Sequence, residues 1–121
     1  MKKKILLLDD KESIAKIIRA YLWEEYEIIY FEDPIKGIGW LESGNIPDLV
    51  ISDIKMPNMT GDDFLVYFKN NGFYKDIPFI ILSCVESSAE RIRLLENGAD
   101  DYIVKPFNPE ELKVRLTKIL K

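Results

Sequence analysis

A doubly wound α/β fold is what this sequence predicts: five strands alternating with five helices around one parallel sheet. Three observations carry the prediction. Short, nearly continuous apolar runs such as Lys4-Ile5-Leu6-Leu7-Leu8 read as strands covered on both faces. Each is followed by a segment whose apolar residues recur at helical spacing. The 121 residues fit one compact domain, with no repeat, low-complexity tract or linker, so 1–121 is read as one domain. Strict alternation implies helices on both faces of the sheet, joined by right-handed crossovers.

The elements follow in order. The first strand ends at Asp9-Asp10, and Ser13 is the expected cap of a helix carrying Ile14, Ile17, Ile18, Tyr21 and Leu22 on one face. Glu27 to Phe31 is the second strand. Asp33-Pro34 reads as a cap plus first-turn proline, opening a helix through Ile35, Ile38 and Leu41 that Gly44-Asn45 and Pro47 end. Asp48 to Asp53 is the third strand. A loop punctuated by proline and glycine, Met56 to Gly61, precedes a helix with Phe64, Leu65 and Phe68. Pro78 to Ser83 is the fourth strand. Ser87 or Ser88 starts a helix through Ile92, Leu94 and Leu95, closed by Asn97-Gly98. Asp101 to Val104 is a short fifth strand, and Asn108-Pro109-Glu110-Glu111 begins the last helix with Leu112, Leu116 and Leu120 as a capping box.

Composition excludes several function classes. The chain has no histidine, which removes Ser-His-Asp and Cys-His catalysis, histidine-bound zinc and any role as phosphohistidine donor. Cys84 is the only cysteine, so no internal disulfide forms, as expected of a cytoplasmic protein. No apolar run approaches a bilayer span, and the basic start Met1-Lys2-Lys3-Lys4 leads into too short an apolar stretch for a signal peptide. Net charge is −4 with no basic cluster beyond the first residues, which argues against direct nucleic-acid or membrane binding by this chain.

In a doubly wound sheet, ligands bind beyond the carboxyl ends of the strands, where strand order reverses. Here those ends carry Asp9-Asp10, Asp53, Ser83 and, after the fifth strand, Lys105-Pro106. Three converging carboxylates repel one another unless a cation neutralises them. Hard oxygen donors without histidine or cysteine point to Mg²⁺, with Mn²⁺ as the alternative occupant. The Ser83 hydroxyl and the Lys105 ammonium face the same mouth as donors to an anion. Such a set suits phosphoryl transfer to an aspartate.

The stretches Leu8-Asp9-Asp10, Asp53-Ile54-Lys55-Met56-Pro57-Asn58-Met59-Thr60-Gly61, Leu82-Ser83 and Gly98-Ala99-Asp100-Asp101-Tyr102-Ile103-Val104-Lys105-Pro106-Phe107 resemble the receiver domain of two-component response regulators. The resemblance spans essentially the whole chain. It implies the flavodoxin-like strand order 2-1-3-4-5. It also implies Asp53 as phosphoacceptor, Asp10 as direct metal ligand, Asp9 acting mainly through metal-bound water, and the Lys55 carbonyl as a further ligand. Ser83 and Lys105 would bind the phosphoryl group, and Tyr102 would be the aromatic switch that turns inward as Ser83 engages it. The implied partner is a histidine kinase or phosphotransfer protein. The chain would catalyse only its own phosphorylation and dephosphorylation, so it is not an enzyme in the ordinary sense. Asp100, Asp101, Arg91, Arg93, Glu96 and Arg115 resemble the charged face of receivers from winged-helix transcription regulators, which implies a phosphorylation-dependent homodimer. The sequence stops at Lys121 without such an effector, as a stand-alone receiver or as a trimmed longer protein.

Taken singly, each motif has a plainer reading: Asp9-Asp10 as a polar strand end, Asp53 as a turn initiator, Lys105-Pro106 as a solvated loop, Tyr102 as an edge-strand packing residue. Their joint occurrence at successive strand ends favours the receiver. A flavodoxin-like cofactor carrier would need hydroxyls and glycines in the first loop, where this chain has Asp-Asp-Lys-Glu-Ser. An aspartyl-phosphate hydrolase would place an acid at Lys55. A pseudo-receiver, a binding module that is never phosphorylated, is the alternative of a third class. Trp23 and Trp40 lie on helical faces and are expected to pack in the core or partly on the surface, and Cys84 to be a small buried hydrophobe. Lys55 and Val85, at the rim by resemblance, lack the amide or carboxylate that holds an attacking water, so slow autodephosphorylation is expected.

Overall fold

A computed structural model of the chain describes residues 2–84 and 87–121. Its elements run β1 (Lys3–Leu8), α1 (Glu12–Leu22), β2 (Tyr26–Phe31), α2 (Pro34–Glu42), β3 (Leu49–Ser52), α3 (Gly61–Lys69), β4 (Phe79–Ser83), α4 (Ser88–Glu96), β5 (Asp101–Val104) and α5 (Pro109–Ile119). All strand pairs are parallel, and the order is β2-β1-β3-β4-β5, as the resemblance implied.

The period of two along each strand divides the core in two. Leu6, Leu8, Val50, Phe79 and Ile81 face α2, α3 and α4, packing on Leu41, Phe64, Leu65, Phe68 and Leu94. Ile5, Leu7, Leu49, Ile51, Ile80 and Leu82 face α1 and α5, packing on Ala15, Ile18, Leu22, Leu112 and Leu116. Both faces are covered, which is why the strands read as continuous apolar runs. Phe64, Phe68, Tyr74 and Phe79 cluster at the centre of the first layer with ring centroids 5.1–5.9 Å apart.

Most helix starts are as expected. Asp33 accepts from the Ile35 N–H, Ser87 from Glu90, and Asn108 from Glu110 and Glu111, although the Glu111 side chain binds Arg115 instead of closing the expected capping box. The exception is α1. Ser13 is not its cap: Glu12 begins the helix and Lys11 stands at the N-cap without a side-chain cap. The turn is held instead by Asp9, whose Oδ1 accepts the Lys11 N–H at 2.9 Å. Several residues expected on apolar faces, among them Ile17, Tyr21, Ile35, Ile92 and Leu95, lie at the rims of those faces and are exposed. Trp40 packs partly on the core as expected. Trp23 lies at the surface: it stands at the C-cap of α1 and is 59% exposed, with the Lys2 ammonium 5.4 Å from its ring centroid.

Candidate functional site: an acidic cleft at the sheet's switch point

Strand register builds the site. Leu8 pairs with Ser52, and the Asp53 N–H continues the ladder to the Leu8 carbonyl at 2.8 Å, so Asp9 and Asp53 leave adjacent strands side by side. On the other flank Ser83 pairs with Val104, and the Lys105 N–H reaches the Ser83 carbonyl at 2.8 Å. The four side chains meet where the chain order reverses between β1 and β3. A cleft of about 450 Å³ opens there, lined by Asp10, Asp53, Lys55, Ser83, Cys84 and Lys105 among others.

Asp9, Asp10 and Asp53 each present an oxygen within 4.8 Å of the others. Asp9 is fully buried, Asp53 nearly so, and Asp10 is exposed. The Lys105 ammonium lies between the two buried acids, 2.7 Å from Asp9 Oδ2 and 3.2 Å from Asp53 Oδ2. The Ile54 N–H donates to Asp53 Oδ1 at 2.7 Å. Burial pushes the Asp9 carboxyl above its ordinary value, although Lys105 and the Lys11 N–H favour its charge. Burial acts to lower the Lys105 value, but Asp9 and then Asp53 outweigh it and hold the ammonium's pKa up. The two directions are compatible: one ammonium shared by two carboxylates is itself over-compensated, and leaves Asp9 short of positive charge. The all-oxygen donor set fits a hard divalent cation. This acidic pocket can bind a metal.

The loop behind Asp53 is shaped for close approach. The Gly61 N–H donates to the Ile54 carbonyl at 2.7 Å, and a Cβ on Gly61 would stand 2.0 Å from the Asp53 carbonyl oxygen. Asn58 takes a left-handed φ of 69°, and its amide donates to Asp33 Oδ2 at 2.6 Å, tying the loop to the start of α2.

Ser83 is buried and Tyr102 lies inward, 7% exposed. Burial raises the Tyr102 phenol's pKa, while its hydrogen bond with Ser83 acts against that shift. The Arg91 guanidinium sits 5.9 Å from the centroid of the same ring. Lys55 is exposed at the rim of the cleft; Val85, its expected companion, lies outside the described residues. Cys84 corrects the sequence reading: it is exposed and lines the cleft. It stands one residue past the end of β4, where alternation turns it from buried Ser83 into an uncovered mouth. As parts of the cleft, the sequence reading missed Lys11 and Ile14 on its wall and Tyr30, whose hydroxyl donates to the Asp9 carbonyl at 2.7 Å. Tyr30 gave no signal in its own segment. Only the pairing of β2 with β1 brings it there.

The charged residues around β5 are engaged within the chain. Arg115 binds both oxygens of Asp101 at 3.1 Å and Glu111 at 3.0 Å. Asp100 accepts the Phe79 N–H at 2.8 Å, and Arg93 pairs with Asp62 at 2.7 Å. Among the described residues no helix is long and apolar enough to cross a membrane.

The model of the response regulator receiver domain matches residues 5–117. The chain belongs to that family. This receiver is 36% identical over 99% of its length to the "Probable transcriptional regulator ycf27" of Guillardia theta, of which the match covers 46%. It is 31% identical over its full length to the phosphate regulon transcriptional regulatory protein PhoB of Escherichia coli, covering 53% of that protein. It therefore spans about half the length of such curated relatives. Among solved structures it resembles the chemotaxis response regulator CheY4 of Vibrio cholerae, with a TM-score of 0.90 and 30% identity over 99% of this chain and 100% of that one. The family's role is phosphorylation-dependent signalling in two-component systems.

Proposed function

We propose that this receiver takes a phosphoryl group from the phosphohistidine of a histidine kinase or phosphotransfer protein onto Asp53, with Mg²⁺ bound by the acidic cluster. The observation that carries the reading is the convergence of Asp9, Asp10 and Asp53 within 4.8 Å, beside Lys105 at 3.2 Å from the Asp53 carboxylate. In the transfer, an Asp53 oxygen attacks phosphorus, the P–N bond to the donor imidazole breaks, and the imidazole departs with that bonding pair. Asp10 and Asp53 would hold the cation directly, Asp9 through water, and the Lys55 carbonyl would complete the protein ligands. Bound there, the cation would neutralise charge on the carboxylates and the phosphoryl oxygens.

Lys105 then pairs with the phosphoryl group, and the Ser83 hydroxyl donates to it. Because Ser83 also bonds Tyr102, its movement toward the phosphoryl group would be felt at β5 and α4, the surface through which the state is read out. The chain turns over no other substrate. We place it in the cytoplasm, where kinase and Mg²⁺ are at hand. The net charge of −4 supports a partner of protein rather than nucleic acid for this chain.

Acetyl phosphate with Mg²⁺ should label the chain once, giving an acid-stable, base-labile phosphate that Asp53→Asn abolishes. Undiminished labelling of that variant, or full labelling in EDTA, would overturn the assignment. A pseudo-receiver would take no label at all.

A further inference from the structure

Asp9 and Asp10 are adjacent in sequence but held very differently. The Asp9 carboxylate is fixed by Lys105 at 2.7 Å and the Lys11 N–H at 2.9 Å. The exposed Asp10 carboxylate makes no hydrogen bond or ion pair among the described residues. The backbone that carries it therefore fixes its Cα–Cβ bond, and with it the region the carboxylate can reach. The peptide group joining the two residues has its carbonyl on Asp9, and that oxygen accepts the Tyr30 hydroxyl at 2.7 Å. The Asp9 N–H, one peptide earlier, makes only a long contact of 3.4 Å to Phe31.

The phenol arrives from a firm base. Tyr30 pairs in register with Leu7, and its ring packs against the cluster that holds Leu7, Ile28 and Ile18. A half-buried ring seated on β2 thus presents one donor to one carbonyl, immediately before the unsupported carboxylate.

We propose that Tyr30 is a positioning residue for the cation site: its hydroxyl orients the Asp9–Asp10 peptide and so aims the Asp10 carboxylate into the cleft. The inference rests on the Mg²⁺ reading given above, and concerns affinity rather than chemistry. A carboxylate already aimed loses less freedom when the cation binds, which is the same physics by which outer partners of metal ligands tighten other sites.

The test is a Mg²⁺ titration of the full chain by calorimetry, with Asp10 amide shifts followed by NMR, for wild type, Tyr30→Phe and Asp10→Asn. Each is also unfolded with urea in EDTA. Tyr30→Phe keeps the ring and removes only the donor. It should bind Mg²⁺ about three- to ten-fold more weakly, while the metal-free fold loses no more than the worth of one neutral hydrogen bond. Equal affinity in Tyr30→Phe would overturn the inference, as would a loss of metal-free stability with affinity intact, since the bond would then serve the fold alone. Wild type that binds no Mg²⁺, or an Asp10→Asn variant that binds as tightly as wild type, would instead overturn the reading of the site itself, and the inference with it.

Discussion

Asp9 is wholly buried beside Asp53, while the Lys105 ammonium and the Lys11 N–H favour its charge. Its raised pKa means that the folded chain holds a proton that the unfolded chain has released. Between the ordinary value of 3.8 and the raised one, the native state binds more protons, so this group's contribution to stability falls as pH rises through that window. Asp9→Asn should therefore gain stability relative to wild type from acid toward neutral pH in EDTA. Saturating Mg²⁺ should cancel or reverse that gain, because bound cation stabilises the wild-type fold by mass action. Urea midpoints of the two proteins across pH check this; a pH-independent difference would count against it. If Asp53 is phosphorylated as proposed, Lys55 would bear on a later event, loss of the phosphoryl group. It stands at the rim of the cleft, where an attacking water would approach. Its ammonium can occupy that path but cannot hold a water by accepting its proton. Lys55→Asn should hasten phosphate loss several-fold, and Lys55→Asn with Val85→Glu more so. Equal or slower loss in the double variant, timed under saturating Mg²⁺, would show that the rim does not set the lifetime.

The elements that matter most are the two loops leaving β1 and β3. The second folds back so tightly that α3 begins against the Asp53 carbonyl, and only glycine fits there. Gly61→Ala should lower stability by about 1–3 kcal/mol, the usual range for overpacking, and slow Asp53 labelling by displacing the loop. Wild-type stability and rate in that variant would contradict the close approach. Much of this was legible in sequence. Asp33-Pro34 and Asn108-Pro109 announce their helix starts through local chemistry, and the apolar runs announce doubly covered strands. What was not legible depends on contacts between distant segments. Ser13 looks like a cap, yet Asp9 holds the turn; Cys84 looks buried by type, yet lies just beyond the covered part of β4. Tyr30 reaches Asp9 across 21 positions of sequence, and Arg93 reaches Asp62 from α4 to α3. Such pairs follow from sheet order and helix placement, which no single segment encodes.

On the scale of the whole molecule, the cleft exists because a parallel sheet ends all its strands on one side and reverses its order between β1 and β3. The same end carries Ser83 and Lys105, so a charge placed on Asp53 lies one residue's reach from β4 and β5. Tyr102, Arg91 and the Arg115–Asp101 pair sit on the face those elements form with α4 and α5. If phosphorylation re-forms that face as proposed, beryllofluoride with Mg²⁺ should shift the receiver from monomer toward a two-fold dimer in sedimentation. A monomer with and without beryllofluoride at high protein concentration would count against the dimer that the resemblance implies. The central claim is narrower than any output: Asp53, among 21 acidic residues, is the one that takes phosphate. Borohydride reduces an acyl phosphate, so treatment after acetyl phosphate and Mg²⁺, followed by peptide mass mapping, marks the modified aspartate directly. Homoserine at position 53 alone, absent when Mg²⁺ is chelated, is the predicted result; reduction at another aspartate, or none at 53, would contradict it.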